Sequence, residues 1–123
     1  MKLLTPYISL RTFRKNGQGV DTPVWFVEDT SNKIYLFSAA NAGKVKRIKN
    51  SPLAELAECD MRGGSLGVWH RCNAFLVDSA DESSHAYALL VKRYGWQMRI
   101  TNFFSRLSGR INQRAVIRLE CSP

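Results

Sequence analysis

The stretch Tyr7-Ile8-Ser9-Leu10-Arg11-Thr12, followed by Asn16-Gly17-Gln18-Gly19 and then Val20-Asp21-Thr22-Pro23-Val24-Trp25-Phe26-Val27, decides the fold class. Ile8 and Leu10 alternate with polar residues, the period-2 pattern of a half-buried strand. The glycine-rich cluster that follows is turn chemistry, so the pattern predicts a strand entering a hairpin. Val20 to Val27 predicts a second strand, with Val24 to Val27 reading as buried on both faces. Pro23 has no N–H to give to a ladder and marks an edge or a bulge.

Further along the chain, Asp29-Thr30-Ser31-Asn32 turns it, and Ile34 to Ala39 predicts a third strand. A short helix is expected from about Ala42 to Asn50, with Asn41 as N-cap and Ser51-Pro52 beyond its end. Leu53 to Cys59 reads as a fourth strand, although Ala54-Glu55-Leu56-Ala57-Glu58 has good helix propensity. The loop Arg62 to Gly67 leads to a fifth strand over 69–77. A longer helix is expected from Asp81 to Tyr94, with Asp81 and Glu82 in its first turn, Lys92 and Arg93 in its last and Gly95 just past its end. Trp96 to Leu107 fits either a further helix or irregular structure, and Ala115 to Glu120 reads as a sixth strand. Six short strands with helices inserted suit a mainly β, antiparallel barrel, because closure protects edges that such strands would expose.

The 123 residues, 45% of them hydrophobic, fit one domain spanning 1–123 with a real core. Thr5-Pro6 interrupts the first apolar residues, and no run reaches membrane-spanning length, so a soluble cytoplasmic protein is expected. Three cysteines, Cys59, Cys72 and Cys121, lack CxxC spacing and are odd in number, which reads as reduced core thiols. Eighteen Lys and Arg against ten Asp and Glu give a net charge of +8, and the excess favours an anionic partner of some kind.

The chemistry concentrates in Ser38-Ala39-Ala40-Asn41-Ala42-Gly43-Lys44-Val45-Lys46-Arg47-Ile48-Lys49-Asn50-Ser51-Pro52. Lys44 falls in the first turn of the expected helix, where unpaired N–H groups already carry positive charge. A cation there implies a missing anion. Gly43 has no Cβ to obstruct approach to those amides, and the Ser38 hydroxyl at the strand end could complete a phosphate cradle. Two other readings stand beside this one. The helix is basic and solvated, since Lys46, Arg47 and Lys49 lie nearby without an acid; or the basic residues meet nucleic acid, with Trp25, Tyr35, Phe37 or Trp69 stacking on bases.

Thr22-Pro23-Val24-Trp25-Phe26, Lys44-Val45-Lys46-Arg47-Ile48 with Asn50-Ser51-Pro52, Cys59-Asp60-Met61-Arg62-Gly63 and Lys92-Arg93-Tyr94-Gly95-Trp96 together resemble a pyridoxamine 5′-phosphate oxidase-like family. More narrowly, they resemble its subgroup of small proteins described as users of the deazaflavin coenzyme F420. The resemblance extends from about Tyr7 to Glu120. It implies an FMN-binding type of split barrel, a homodimer with the cofactor in a groove at the subunit interface, and oxidoreductase chemistry on a small-molecule substrate.

By the same resemblance Lys44 corresponds to the phosphate-binding lysine, Ser38 to a phosphate-binding hydroxyl, and the backbone of Pro23-Val24-Trp25 to the strand lying against the flavin ring. Thr22 and Gly43 fall where the classical oxidases carry phosphate-binding arginines. Those departures loosen the hold on FMN and leave coenzyme F420 a competitor. Arg62, Trp69 and Trp96 are candidates to line the pocket.

Other constellations carry less. Gly63-Gly64-Ser65-Leu66-Gly67 matches a nucleophile elbow in letters, but Val68-Trp69-His70 reads as strand where the motif needs a helix. His70, Cys72, Cys59 and Asp60 lack the spacing of a closed zinc site. From Ser83 to Leu119 there are seven bases and no acid, fitting a solvated face, an acidic cofactor tail or an anionic substrate. The expectations are thus a flavin- or deazaflavin-dependent oxidoreductase, or alternatively a barrel that binds such a cofactor without turnover, with a nucleic-acid-binding barrel ranked behind both and no membrane partner.

Overall fold

A computed structural model of the chain describes Leu3 and residues 7–39, 42–60, 62–64, 66–101 and 114–121. Seven strands and two helices follow in the order β1 (Tyr7–Phe13), β2 (Gly19–Trp25), β3 (Val27–Glu28), β4 (Ile34–Ala39), α1 (Gly43–Asn50), β5 (Leu53–Cys59), β6 (His70–Leu76), α2 (Ala80–Thr101) and β7 (Arg114–Cys121). The strands form one antiparallel sheet in the order β2-β1-β5-β6-β7-β4-β3.

The two ends of that order are the same piece of chain. Only Phe26 separates Trp25 at the end of β2 from Val27 at the start of β3, so the sheet curls until its margins meet. The expected strand over Val20 to Val27 is therefore divided, and the count is seven rather than six. Phe26, at 0% exposure, is the pivot at which the strand changes partners, from β1 to β4.

Alternation decides which side chains fill the interior. Ile8 and Leu10 of β1, Ile34 and Leu36 of β4, Leu56 of β5, Ala74 of β6 and Ile117 and Leu119 of β7 are all buried in one cluster. Leu53–Cys59 is a strand despite its helix-forming residues, because it pairs with β1 on one side and β6 on the other, and that pairing outweighs local propensity. Helix α1 plugs the barrel with Val45 and Ile48, three positions apart on one helical face. It ends where Ser51 turns extended ahead of Pro52, its N–H still bonded to Arg47 O at 2.9 Å.

Helix α2 covers the outside, setting Ala86 and Leu90 against Val27, Tyr35 and Val116. It runs on to Thr101 through Gly95, where a stop was expected. An interior glycine costs a helix only about 1 kcal/mol, too little to end one by itself. Residues 102–107 of the ambiguous stretch lie outside the described residues. No described helix is long and apolar enough to cross a membrane.

The cysteines correct a second expectation. Cys72 of β6 stands directly opposite Cys121 of β7, and the two form a disulfide, leaving Cys59 as a free, buried thiol. Cross-strand register brings together residues that sequence spacing holds 49 apart.

Candidate functional site

The candidate site is the N-terminal end of α1 and the sheet beside it. Ala42, not Asn41, holds the N-cap position, with φ −64° and ψ 152° and no side-chain cap hydrogen bond; Asn41 lies outside the described residues. The first turn contains no acid. Ala42 O accepts from the N–H of Val45 at 3.1 Å and of Lys46 at 3.3 Å, so the amides of Gly43 and Lys44 precede the first helical bonds. An anion placed there would meet two N–H groups and the positive end of the helix dipole.

Lys44 is half-buried, and among the described residues it makes no ion pair or hydrogen bond. Burial lowers its ammonium from the ordinary lysine value, and the charge of Arg47 lowers it further. Both causes act because the charge has lost water without gaining a counter-ion. Arg11 and Arg118 behave differently. Arg11 is held by Asp21 at 2.7 Å and Arg118 by Glu82 at 2.8 Å, and both are raised, chiefly by those hydrogen bonds.

Arg47, which the sequence grouped with a solvated basic face, belongs to this site. A helical side chain leans toward the N-terminus and covers the turn before its own. Here the Arg47 guanidinium folds over Gly43, one turn upstream, with Nη1 2.8 Å from where a Cβ on that glycine would stand. A Cβ at 43 would require the tip of this side chain to shift. Arg47 Nε donates to the hydroxyl of Thr12 at 2.6 Å, and Thr12 is itself buried on β1. Burial, and after it the charge of Arg14, lowers the guanidinium from its usual value. The Gly43/Arg47 spacing of four was the signal that could have found this contact.

The other predicted residues divide. Ser38 is half-buried near the end of β4, paired in register with Ala115. It is joined to α1 through residues 40–41, which lie outside the described residues. Thr22 and Val24 turn inward from β2, and Val24 packs on the barrel core. Pro23 faces out. Trp25 packs instead with the α2 cluster, its ring centroid 6.0 Å from that of Tyr7. The three residues assigned to a ring-facing strand thus send their side chains to three places, and what they share is the backbone of a strand at one end of the sheet order.

Arg62 is exposed in a turn organised by Asp60, whose Oδ1 accepts from the Arg62 and Gly64 amides at 2.8 Å each. Gly63, at φ +83°, requires the left-handed region and brings this turn beside Pro23, whose ring lies 3.7 Å from the position of a Cβ on that glycine. The turn that carries Arg62 therefore lies beside β2. Trp69 stacks under the Arg11 guanidinium at 3.9 Å and is occupied structurally. The Trp96 side chain and Ser65 lie outside the described residues.

Among the described residues no group of three His, Cys, Asp or Glu is arranged to hold a metal, and Cys72 is committed to its disulfide. An open cleft of about 510 Å³ lies between the β1–β2 hairpin (Phe13, Arg14, Lys15) and the α1–β5 junction (Asn50, Ser51, Leu53). None of the sequence-predicted site residues lines it.

No family model and no curated protein matches the sequence. Solved structures do match. A conserved hypothetical protein from Mycobacterium tuberculosis superposes with a TM-score of 0.73 at 18% identity, covering 97% of this chain and 74% of that one. HutZ, the heme storage protein from Vibrio cholerae, gives 0.68 at 16%, covering 96% and 82%. A candidate pyridoxamine 5′-phosphate oxidase from Listeria innocua gives 0.65 at 10%, covering 96% and 85%. The fold is the pyridoxamine 5′-phosphate oxidase-like split barrel. At these identities the likeness extends to the fold alone, and the same barrel carries proteins described in quite different terms.

Proposed function

We propose that the chain is a split-barrel oxidoreductase that binds FMN or coenzyme F420, with the cofactor phosphate at the N-terminus of α1 and the ring against the edge of β2. The observation that carries this reading is Lys44: a half-buried cation in an acid-free first helical turn, with no counter-ion among the described residues. That arrangement is unfavourable until an anion arrives, and a phosphate satisfies the ammonium and the Gly43 and Lys44 amides together. Bound there, the flavin or deazaflavin would supply hydride or electron transfer.

The protein's own share is binding and orientation. Lys44 and the Ser38 hydroxyl hold phosphate. The backbone of Pro23, Val24 and Trp25, on the strand at one end of the sheet order, lies against the heteroaromatic ring, and the turn carrying Arg62 bounds that side. The groove is completed by a second copy of the chain. This part is supported by β2 lying at the end of the strand order and by Leu66 and Val68, 47% and 76% exposed, on the loop that folds beside it.

The test is to mix purified protein with FMN and with coenzyme F420, follow binding by absorbance and fluorescence, and then offer nicotinamide donors. Micromolar binding followed by reduction supports an oxidoreductase. Tight binding with no turnover across a broad donor panel moves the assignment to a cofactor-binding module. Binding of neither cofactor ends the reading.

A further inference from the structure

The cleft of about 510 Å³ between the β1–β2 hairpin and the α1–β5 junction lies at the carboxyl end of α1, the opposite end from the Gly43 and Lys44 amides. Its size falls within the range of about 300–1,000 Å³ usual for small-molecule sites. Both walls are tied in place. In the hairpin, Arg14 N–H donates to Gln18 O at 2.9 Å and Gly17 N–H to Arg14 O at 2.8 Å, with Gly17 at φ +88°. In the junction, Pro52 O accepts from Ala74 N–H at 2.7 Å, which pins the entry to β5 against β6. Walls already held in one arrangement lose little entropy when the space between them is filled.

The lining combines apolar surface with positive charge that nothing neutralises. Leu53 is 60% exposed on this cleft, although Ala54 and Leu56 of the same strand are buried, and Phe13 adds a second apolar surface. Arg14 and Lys15 are exposed and, among the described residues, their side chains enter no ion pair or hydrogen bond. No carboxylate among the described residues lines the cleft. The carbonyl end of α1 carries about half a negative charge, and Lys49 in its own last turn already answers it. The two hairpin bases are therefore in excess. Exposed bases alone make an ordinary solvated surface. Here they share a cleft with an exposed leucine.

We propose that this cleft is a binding site for a small amphipathic carboxylate, a molecule with one anionic group on an aliphatic or aromatic body. Leu53 and Phe13 take the apolar body, and the hairpin bases take the carboxylate, Arg14 through its planar fork and Lys15 as a point charge. A bare anion uses only the charged half of such a site, and an uncharged hydrocarbon only the apolar half. The site is separate from the one at Lys44 and does not depend on a flavin binding there.

The experiment titrates the folded chain with anilinonaphthalene sulfonate, a fluorescent anion on an aromatic body whose sulfonate stands for the carboxylate. Saturation at one probe per chain is expected. Phenylnaphthylamine, the same rings without the charge, is expected to bind about tenfold more weakly. Octanoate should displace the probe, and acetate at equal concentration should not. Leu53→Ala is expected to weaken the probe about threefold to tenfold through lost apolar contact. Arg14→Gln combined with Lys15→Gln is expected to weaken it about tenfold. Lys46→Gln removes the same charge from the exposed face of α1 and should leave binding unchanged. All four positions are exposed, so the variants keep the fold, and thermal melts verify it.

Absence of saturable binding overturns the inference, as does failure of octanoate to displace the probe. Equal affinity for the charged and uncharged rings, equal affinity across the variants, or a loss in Lys46→Gln as large as that in the Arg14 and Lys15 double variant overturns it too. Each of these outcomes leaves the cofactor reading in place, because that reading is decided by FMN and coenzyme F420 binding and by Lys44.

Discussion

Tyr35 of β4 donates its hydroxyl to Glu82 in the first turn of α2 at 2.8 Å, tying the outer helix to the barrel wall. Arg118 of β7 binds the same carboxylate at 2.8 Å, so two adjacent strands share one anchor on the helix. The hydrogen bond from Arg118 lowers the Glu82 carboxyl below its ordinary value, against an opposing push from burial. Burial, reinforced by Glu82, raises the Tyr35 phenol well above its own.

Glu82→Gln is therefore expected to cost about 1–2 kcal/mol at pH 7, the range for hydrogen bonds to a charged group at a partly exposed site. Because the carboxyl titrates lower in the folded than in the unfolded chain, its stabilisation is complete above about pH 4.3 and disappears as pH falls through the folded value. Urea melts of the two proteins should differ at pH 7 and draw together as the pH is lowered through the folded carboxyl's titration. A constant difference across that range would show that charge plays no part.

The Cys72–Cys121 disulfide closes a loop of 49 residues of sequence separation. Its reduction is expected to lower stability by about 2–4 kcal/mol through the entropy returned to the unfolded chain. Thiol titration in denaturant should count one free thiol, Cys59, before reduction and three after. Three before reduction would remove this cross-link from the native protein.

Leu53 and Leu56 lie on the same strand and separate its two environments: Leu53 is 60% exposed and Leu56 is fully buried in the barrel. Leu56→Ala should cost about 2–5 kcal/mol by leaving a cavity. Leu53→Ala should change stability by no more than about 0.5 kcal/mol. Chemical denaturation of the pair reads the inward face of β5 directly, and reversed values would mean that the register is shifted by one residue.

Much of this was legible in the chain. Alternation at Ile8 and Leu10 and the turn residues Asn16 to Gly19 mark the first hairpin, and Pro23 marks a strand at the end of the sheet order. The division at Phe26 was not legible, because Trp25-Phe26-Val27 is uniformly apolar and offers no alternation to break. Nor was the disulfide, since an odd cysteine count hides a pair that only the β6–β7 register brings together. At the site, Lys44 stood out by violating the helix-dipole preference. Arg47 did not, because in a row of bases only a side chain traced back to a glycine one turn earlier distinguishes a held cation from a solvated one.

The central claim is that α1 begins with an unpaid positive charge awaiting phosphate. Fluorescence titration of FMN into wild-type, Lys44→Ala and Lys46→Ala protein tests it most directly, because Lys46 adds the same charge to the same helix on its exposed face. The account predicts micromolar or tighter binding to wild type and to Lys46→Ala, and affinity at least about tenfold weaker in Lys44→Ala. Equal affinity in all three, or equal loss in both variants, would contradict it.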